Sequence, residues 1–338
     1  MKRKLALLLI AAMCITMFVS CAAPVEKEVK EDMKFAIVAN DAIGDRGFVD
    51  MAYEGIKKAS EDFGIEYKVF ECHADPSMYM DNLKAAASEY DVIFIVPGYF
   101  FDKELEEIKG QYPDNTYIYV DGVTSIENVN SATFMQNEGA FLAGSLAALL
   151  TQETSVNMIN EDKIVGFVGG ADWPVIRDYQ AGFEHGVRYA DPTVEVIARY
   201  AGDHYDPAKG KDTAYLVSQG GADVIFQAAG PTGLGILEAA SAYDFYALGV
   251  DTDQGYMQPG YIVSSMLKRV DTAIYNIVES ITKGEELKDV YTFNVANNGI
   301  GLARNEYYEE IVPQSVKDRV NEIEQDIISG KVVVDTYK

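Results

Sequence analysis

The feature that most constrains this chain is a repeated alternation of short apolar runs with longer segments whose apolar residues recur at helical spacing. Apolar runs bounded by turn residues are typical of buried strands, and their alternation with helices is typical of a parallel sheet covered on both faces. The pattern predicts strands at residues 34–39, 65–70, 91–96, 117–120, 164–168, 194–199, 224–226, 245–250 and 261–267. Helices are predicted between them, among others at residues 174–190, 207–219, 232–243 and 270–282.

The alternation is interrupted at residues 122–135, which divides the chain into two similar halves. A length of 338 residues suffices for two domains of ordinary size. We therefore expect an α/β fold with two doubly wound parallel-sheet lobes, joined by a multi-strand hinge that the chain crosses three times. The predicted lobe 1 comprises residues 33–125 and about 255–288, and the predicted lobe 2 comprises residues 126–254 and about 289–338. The strand at 261–267 and the helix after it are thus expected to return to lobe 1.

The first 20 residues differ in kind from the rest of the chain. Lys2, Arg3 and Lys4 precede an uncharged, mostly apolar run at residues 5–19. As a helix this run spans about 22 Å, which is short for a bilayer core of about 30 Å. A cleaved export signal over residues 1–20 therefore fits better than a membrane span. An uncleaved anchor, or an ordinary signal followed by an incidental cysteine, is the alternative.

The cysteines agree with an exported protein that needs no disulfide. The run Phe18-Val19-Ser20-Cys21 resembles a bacterial lipobox, which implies lipidation of Cys21 after cleavage before it. Since Cys14 would leave with the signal, only Cys72 remains and no internal disulfide is possible. Residues 21–32 are polar, charged and aperiodic, and they predict a flexible tether between lipid and fold. The expected location is the outer face of the bacterial cell membrane.

Composition narrows the classes of partner. Apolar residues make up 48% of the chain, which is enough for two real cores. The formal net charge of −25 argues against binding nucleic acid, because the phosphates would be repelled. The same charge argues against an anionic membrane surface as a partner of the folded part, so contact with the membrane is expected through the lipid only.

Polar residues and glycines follow several of the predicted strands. In open parallel sheets, ligands bind beyond the carboxyl ends of the strands, so these positions predict a binding site. Two lobes that face each other would direct these strand ends into one cleft. The strand ends carry Asn40-Asp41, Pro97-Gly98-Tyr99, Asp121, Gly169-Gly170, Gly230 and Asp251.

The stretch Gly166-Phe-Val-Gly-Gly-Ala-Asp-Trp-Pro-Val-Ile176 is typical of a buried strand, a turn and the start of a helix. Its glycines allow backbone N–H groups to approach a bound molecule, and a proline is tolerated in the first turn of a helix. Trp173 is the only tryptophan, and it lies where the cleft would open. It is expected either to close one face of a ligand or to fill the core.

Sequence signals for catalysis are weak. The three histidines share no metal-ligand spacing, and no H-E-x-x-H, C-x-x-C or G-x-S-x-G motif is present. The glycine-rich run 230–235 lacks the lysine of a P-loop, and the run from Asp251 lacks the final glutamate of a calcium loop. No enzymatic activity, cofactor, metal ion or catalytic residue is predicted.

Six motifs stand in a fixed order along the chain. They are Asp45-Arg-Gly-Phe48, Gly166-Phe-Val-Gly-Gly170, Gly182-Phe-Glu-His-Gly186, Asp223-Val-Ile-Phe-Gln-Ala-Ala-Gly230-Pro-Thr-Gly233, Gly249-Val-Asp-Thr-Asp-Gln254 and Ser264-Ser-Met-Leu-Lys-Arg-Val-Asp271. Together they resemble the basic membrane protein family, whose best-known type is a purine nucleoside receptor lipoprotein. The resemblance covers nearly all of residues 33–338 and implies a type I periplasmic-binding fold. It further implies a lipoprotein that feeds an ABC importer through its permease and ATPase, usually with nucleosides.

The resemblance assigns roles to three residues. It implies that Asp251 accepts hydrogen bonds from a ribose diol, as an ionised carboxylate can. It also implies that Lys268 lies near the sugar and that Phe48 stacks on the base. A turn or helix cap, a solvated lysine and a core phenylalanine are the structural alternatives for the three.

Further candidate contacts come from the chemistry of the side chains. Asp121 could accept from purine ring N–H donors, Asn40 could both donate and accept, and Gly230 would leave room for the ligand. Asp41 and Asp45 complete the predicted ligand-binding set, although a capping role is an equal alternative for Asp45.

The chain departs from the family's usual Asp-Lys-Ser-Phe-Asn, because glycine and valine replace the hydroxyl and the amide at positions 47 and 49. A sugar or a flavin-like vitamin is therefore an alternative ligand. A surface sensor or adhesin is the alternative from another class, and a nucleoside hydrolase is disfavoured because no catalytic constellation is present.

Overall fold

In the computed structural model, which describes residues 33–337, the chain forms two six-stranded sheets. The first sheet is entirely parallel and has the order β11-β5-β4-β3-β1-β2. Its strands are β1 (Lys34–Ala39), β2 (Glu66–Glu71), β3 (Val92–Val96), β4 (Thr116–Val120), β5 (Asn130–Phe134) and β11 (Val290–Phe293).

The second sheet has the order β12-β10-β9-β8-β6-β7 and is parallel except for the edge pair of β10 and β12. The two sheets have nearly the same strand order, as expected for two halves of similar pattern. The strands of the second sheet are β6 (Ile164–Gly169), β7 (Glu195–Tyr200), β8 (Ala222–Ala228), β9 (Tyr246–Asp251), β10 (Ile262–Lys268) and β12 (Ile300–Leu302).

Helices cover both sheets, and several have the predicted bounds. The helices are α1 (Phe48–Phe63), α2 (Tyr79–Glu89), α3 (Asp102–Gln111), α4 (Gln136–Leu150), α5 (Pro174–Ala190), α6 (Pro207–Gln219), α7 (Pro231–Tyr243), α8 (Val270–Thr282), α9 (Glu306–Ile311) and α10 (Gln314–Ile328). The apolar face of each helix packs on a sheet, which is why an alternating apolar pattern gives this layered architecture. Lobe 1 is the first sheet with α1, α2, α3 and α8, and lobe 2 is the second sheet with the other helices.

Helix α4 is buried over almost its whole length and packs against α5. A Cβ atom on Gly182 or Gly186 would lie within 2.2 Å of a backbone oxygen of α4, so only glycine allows these two helices to approach so closely. This contact fixes the position of α5, whose first turns lie at the cleft.

The chain crosses between the lobes three times, at positions that differ from those predicted. It leaves lobe 1 between β5 and α4, returns between β10 and α8, and leaves again between β11 and β12. The expectation that strand 261–267 returns to lobe 1 is wrong, because β10 pairs with β9 and β12 in the second sheet. Only the helix after it, α8, packs on α1 of lobe 1.

The predicted break at residues 122–135 contains β5, and β11 also lies in lobe 1 although the prediction assigned it to lobe 2. β11 is the edge strand of the first sheet, and β5 lies next to it. Both have weak apolar patterns, and the two strands pair with each other in parallel. Non-local pairing of this kind leaves no periodic signal in the sequence.

The predicted signal peptide, the tether and lipidation at Cys21 lie outside the described residues. Within residues 33–337, no helix has both the length and the apolar character needed to cross a bilayer. Cys72 is a buried free thiol, in agreement with the absence of a partner cysteine in the rest of the described chain.

Candidate functional site

The carboxyl ends of the strands from both lobes meet around one cavity, here called the cleft cavity. The space between its lining atoms, open solvent at the mouth included, measures about 750 Å³. All nine ligand-binding residues predicted from the sequence line it. They are Asn40, Asp41, Asp45, Phe48, Asp121, Trp173, Gly230, Asp251 and Lys268.

Asp251 ends β9 at the floor of the cleft cavity and is only 8% exposed. No hydrogen bond to its carboxylate is found within residues 33–337, although the group is charged in water. Burial raises the pKa of Asp251 to about 7, the nearby carboxylates of Asp45 and Asp121 add to this, and the ammonium group of Lys268 opposes it. The carboxylate is therefore held in a costly position and open to a ligand that donates hydrogen bonds.

Lys268 ends β10 and forms an ion pair across the two lobes with Asp121, which follows β4. The distance from Nζ to Oδ1 is 2.5 Å, and the side chains are 2% and 6% exposed. The Lys268 ammonium also lies 5.1 Å from the centroid of the Phe48 ring, a distance at which the ring face attracts a cation. Lys268 is therefore a buried cation at the cleft cavity and not a solvated surface lysine.

Aromatic rings form one wall of the cleft cavity. Trp173 precedes α5 and makes an edge-on contact with Phe100 of lobe 1, with ring centroids 5.4 Å apart and planes at 81°. On its other side it packs against His204, with centroids 4.7 Å apart. Since Phe100 belongs to lobe 1 and Trp173 and His204 to lobe 2, this wall joins the two lobes.

Two hydrogen bonds also connect the lobes across the cleft. The Asn40 amide donates to the Tyr205 hydroxyl at 2.9 Å, and the Gln254 amide donates to the backbone carbonyl of Arg46 at 3.1 Å. Gly47 lies so near the facing lobe that a Cβ atom there would be 3.3 Å from a carboxylate oxygen of Asp251. The lobes are therefore closed over the cavity.

One predicted ligand contact, Asp45, also has a structural role. The Asp45 carboxylate accepts hydrogen bonds from the backbone N–H groups of Gly47, Val49 and Asp50, so it caps the start of α1. Burial raises the pKa of Asp45, and these three hydrogen bonds oppose that effect. The capping alternative is thus realised for Asp45, at a position that also lines the cavity.

The remaining polar positions are set by their loops. Asp41 accepts a hydrogen bond from the backbone N–H of Ala42 at 2.8 Å. Gly230 has φ +54° and ψ −138°, a conformation that favours glycine, and a Cβ atom there would lie 2.6 Å from the His204 ring. The glycine therefore makes room for the imidazole as well as for a ligand.

Sequence reasoning did not select several residues that line the cavity. Tyr99 and Tyr179 each bring a hydroxyl whose pKa burial raises well above its usual value. Tyr99 follows β3, and the sequence reading placed it among the strand ends without selecting it as a ligand contact. Tyr179 lies on the inner face of α5, and His204 and Tyr205 lie in the loop after β7, where no local pattern marks them. The cavity residues not predicted include Tyr99, Phe100, Tyr179, His204, Tyr205 and Gln254.

Within residues 33–337, no three His, Cys, Asp or Glu side chains are grouped so that they could hold an ion. The cavity instead offers hydrogen-bonding groups, one buried cation and aromatic faces, which suit an uncharged, hydrogen-bonding organic molecule.

Two α/β lobes that close on a cavity lined by both, and that are joined by a multi-strand hinge, define a solute-binding protein. The family described as "ABC transporter substrate-binding protein PnrA-like", or Bmp, matches residues 33–336. The chain belongs to this family and is a substrate-binding protein of an ABC transporter, acting outside the cytoplasm. Both the resemblance to basic membrane proteins and the predicted two-lobe α/β fold are confirmed.

The chain is similar over most of its length to two named proteins and to one solved structure. An ABC transporter nucleoside-binding protein, BmpA, of Lactococcus lactis subsp. cremoris (strain MG1363) is 29% identical over 98% of this chain and 99% of its own. An uncharacterized lipoprotein of Pyrococcus abyssi (strain GE5 / Orsay) is 27% identical over 100% of this chain and 93% of its own. The crystal structure of an ABC transporter solute-binding protein from Aeropyrum pernix K1 is 26% identical, with a TM-score of 0.80, and covers 90% of this chain and 93% of its own.

Proposed function

We propose that this protein is the lipid-anchored receptor of an ABC importer and that it captures a nucleoside, most favourably a purine nucleoside, between its lobes. It hands the solute to a permease that an ATPase drives, and it carries out no chemistry on the solute. The proposal goes beyond membership of the family, because it names the ligand, the lipid anchor and the transport partners.

The observation that carries the proposal is the Asp251 carboxylate, buried at the floor of the cleft cavity without a hydrogen-bond donor in the described residues. A buried carboxylate is costly unless donors reach it, and two adjacent hydroxyls of a ribose supply two donors to its two oxygens. Lys268 lies close enough to lower the pKa of the same carboxylate. A diol would therefore complete the hydrogen bonding of Asp251.

The aromatic side chains support a flat heterocycle beside the sugar. Phe48 from lobe 1 and Trp173 from lobe 2 line the same cavity, and rings of this kind stack on bases. Asp121 is an acceptor at the cavity for ring or amino N–H groups, although Lys268 already pairs with it. The name of the Lactococcus lactis relative, which calls that protein nucleoside-binding, agrees with this ligand class.

Closure of the two lobes is the signal that a permease would read. Contacts from lobe 1 to lobe 2, such as those between Asn40 and Tyr205, form only when the cleft is closed. A ligand that touches both lobes favours this closed form, because it binds that form better than the open one.

Calorimetric titration of the protein from Cys21 onward with a panel of nucleosides, free bases, ribose and riboflavin tests the ligand class. We expect purine nucleosides to bind with micromolar affinity or better and ribose alone to bind much more weakly. Asp251→Ala should remove binding while the circular dichroism spectrum stays unchanged, and Asp212→Ala on the exposed face of α6 is the matched control. No heat with any nucleoside, or unchanged affinity in Asp251→Ala, contradicts the assignment.

The anchor is tested separately. In bacterial cells fed an alkyne fatty acid, the wild-type chain should become labelled and fractionate with membranes, whereas Cys21→Ser should be unlabelled. Lipidation that persists in Cys21→Ser rules out this residue as the attachment site. The Pyrococcus abyssi relative, which is called a lipoprotein, agrees with the proposed anchor.

A further inference from the structure

His204 is the polar member of the aromatic wall of the cleft cavity. It lies in the loop after β7, packs against Trp173 and closes over two glycines at strand ends. A Cβ atom on Gly170 would lie 2.3 Å from His204 Nδ1, and one on Gly230 would lie 2.7 Å from Nε2. Backbone thus lies close to both ring nitrogens, and the side chain also lines the cavity.

The two ring nitrogens of His204 differ in their surroundings. Nδ1 is sealed from solvent and has no hydrogen-bond partner in the described chain. Nε2 is not sealed in this way, and it belongs to a side chain that lines the cavity. Burial lowers the pKa of His204 to about 4, more than the nearby Asp203 carboxylate can offset, so the ring is neutral at physiological pH.

A neutral imidazole carries one proton, and its surroundings decide which nitrogen holds it. In folded proteins, a buried N–H without an acceptor is rarer than a buried acceptor without a donor, which indicates that the unpaired N–H costs more free energy. The proton is therefore better placed on Nε2, where a ligand can accept from it, than on Nδ1, where nothing can.

We infer that His204 is a specificity residue that donates a hydrogen bond from Nε2–H to an unprotonated ring nitrogen or carbonyl oxygen of the bound heterocycle. The inference rests on the proposed function for the ligand class, but its claim about the tautomer does not. It also fits the wall around it, because positions 47 and 49 offer no polar side chain.

Adenosine and its 1-deaza, 3-deaza and 7-deaza analogues, each lacking one ring acceptor, test the contact by calorimetry. His204→Phe keeps a ring against Trp173 but removes the donor, and we expect it to bind adenosine about 10-fold more weakly. One of the three analogues should lose the same factor with the wild-type protein and lose nothing further with His204→Phe. Equal affinities in wild type and His204→Phe, or losses that add for all three analogues, overturn the contact.

Tyr205→Phe is the matched control, because it removes the hydroxyl that accepts a hydrogen bond from Asn40 across the lobes. It should weaken all four ligands by a similar factor. If His204→Phe behaves in the same even way, then His204 acts through closure and the inference is wrong.

The tautomer is tested without any ligand by ¹⁵N-detected imidazole spectra of the wild-type protein. With three histidines in the sequence, the His204 signals are assigned by their loss in His204→Phe. We expect a protonated Nε2 and an unprotonated Nδ1 at pH 7, and the reverse pattern, or an imidazolium, refutes the inference. Should wild type bind no nucleoside at all, the proposed function fails, and this spectrum still decides the state of His204.

Discussion

The buried carboxylate of Asp251 should lower the free energy of unfolding of the protein, and the size of this effect should depend on pH. Its pKa is about 7 in the folded protein, because the carboxylate is buried, against 3.8 in an exposed aspartate. At pH 5 the folded protein therefore holds a proton on Asp251 that the unfolded chain has lost. At pH 8 neither state holds it, so the stability contributed at low pH is lost as the pH rises towards 7.

The magnitude follows from the two pKa values. The folded state keeps the proton from pH 5 up to its own pKa, a span of about 2 pH units, and each unit corresponds to about 1.4 kcal/mol of stability. The free energy of unfolding of the wild type therefore falls by about 3 kcal/mol between pH 5 and pH 8. Asp251→Asn has no such proton, and asparagine tolerates the φ of +68° at this position. Relative to wild type, Asp251→Asn should thus gain about 3 kcal/mol between pH 5 and pH 8. Opening of the cleft would hydrate the carboxylate, so this figure is an upper bound.

Urea denaturation of ligand-free protein at both pH values measures the difference. Trp173 is the only tryptophan and lies in the same lobe as Asp251, so its fluorescence reports the relevant transition. Asp212→Asn, at an exposed position on α6, should change stability by less than about 0.5 kcal/mol at either pH. If Asp251→Asn differs from wild type by the same amount at pH 5 and pH 8, the carboxylate is not buried as described.

Three further predictions concern the closed cleft. Lys268→Met should destabilise the protein by about 3–5 kcal/mol, because the Asp121 carboxylate loses its buried partner. Adding Asp121→Asn should restore at least half of that loss in urea denaturation, and losses that add instead would contradict a buried pair. Phe100→Ala should shift the emission of Trp173 to longer wavelength and increase its quenching by acrylamide, since its contact to the other lobe is lost; an unchanged spectrum would mean that the rings do not meet. Gly47→Leu should weaken the affinity for adenosine at least about 10-fold, because the leucine side chain would hold the lobes apart. The melting temperature should stay close to that of wild type, and an unchanged affinity would show that the lobes do not approach each other at residue 47.

The sequence by itself determined the order and kind of the elements around the site. Strand β1 and helices α5, α6 and α8 have the predicted bounds, because apolar periodicity, proline and glycine act over a few residues. The same local patterns located the strand ends. Since the carboxyl ends of parallel strands share one edge of a sheet, reading them in order gathered five residues that line one cavity, namely Asn40, Asp41, Asp121, Gly230 and Asp251. Phe48 and Lys268 came from the resemblance to the family and not from this pattern.

The tertiary structure alone decided which sheet each late strand joins and which polar atoms stay free. β10 and β11 lie in the lobes opposite to those predicted, because pairing between strands far apart in sequence leaves no periodic trace. Likewise, the sequence offered Asp45, Asn40 and Asp251 as ligand contacts, but backbone donors occupy Asp45, Asn40 donates to the Tyr205 hydroxyl, and Asp251 is left without a hydrogen-bond partner in the described chain. Hydrogen bonding and burial depend on what the other lobe brings within a few ångströms, and only the closed fold determines that.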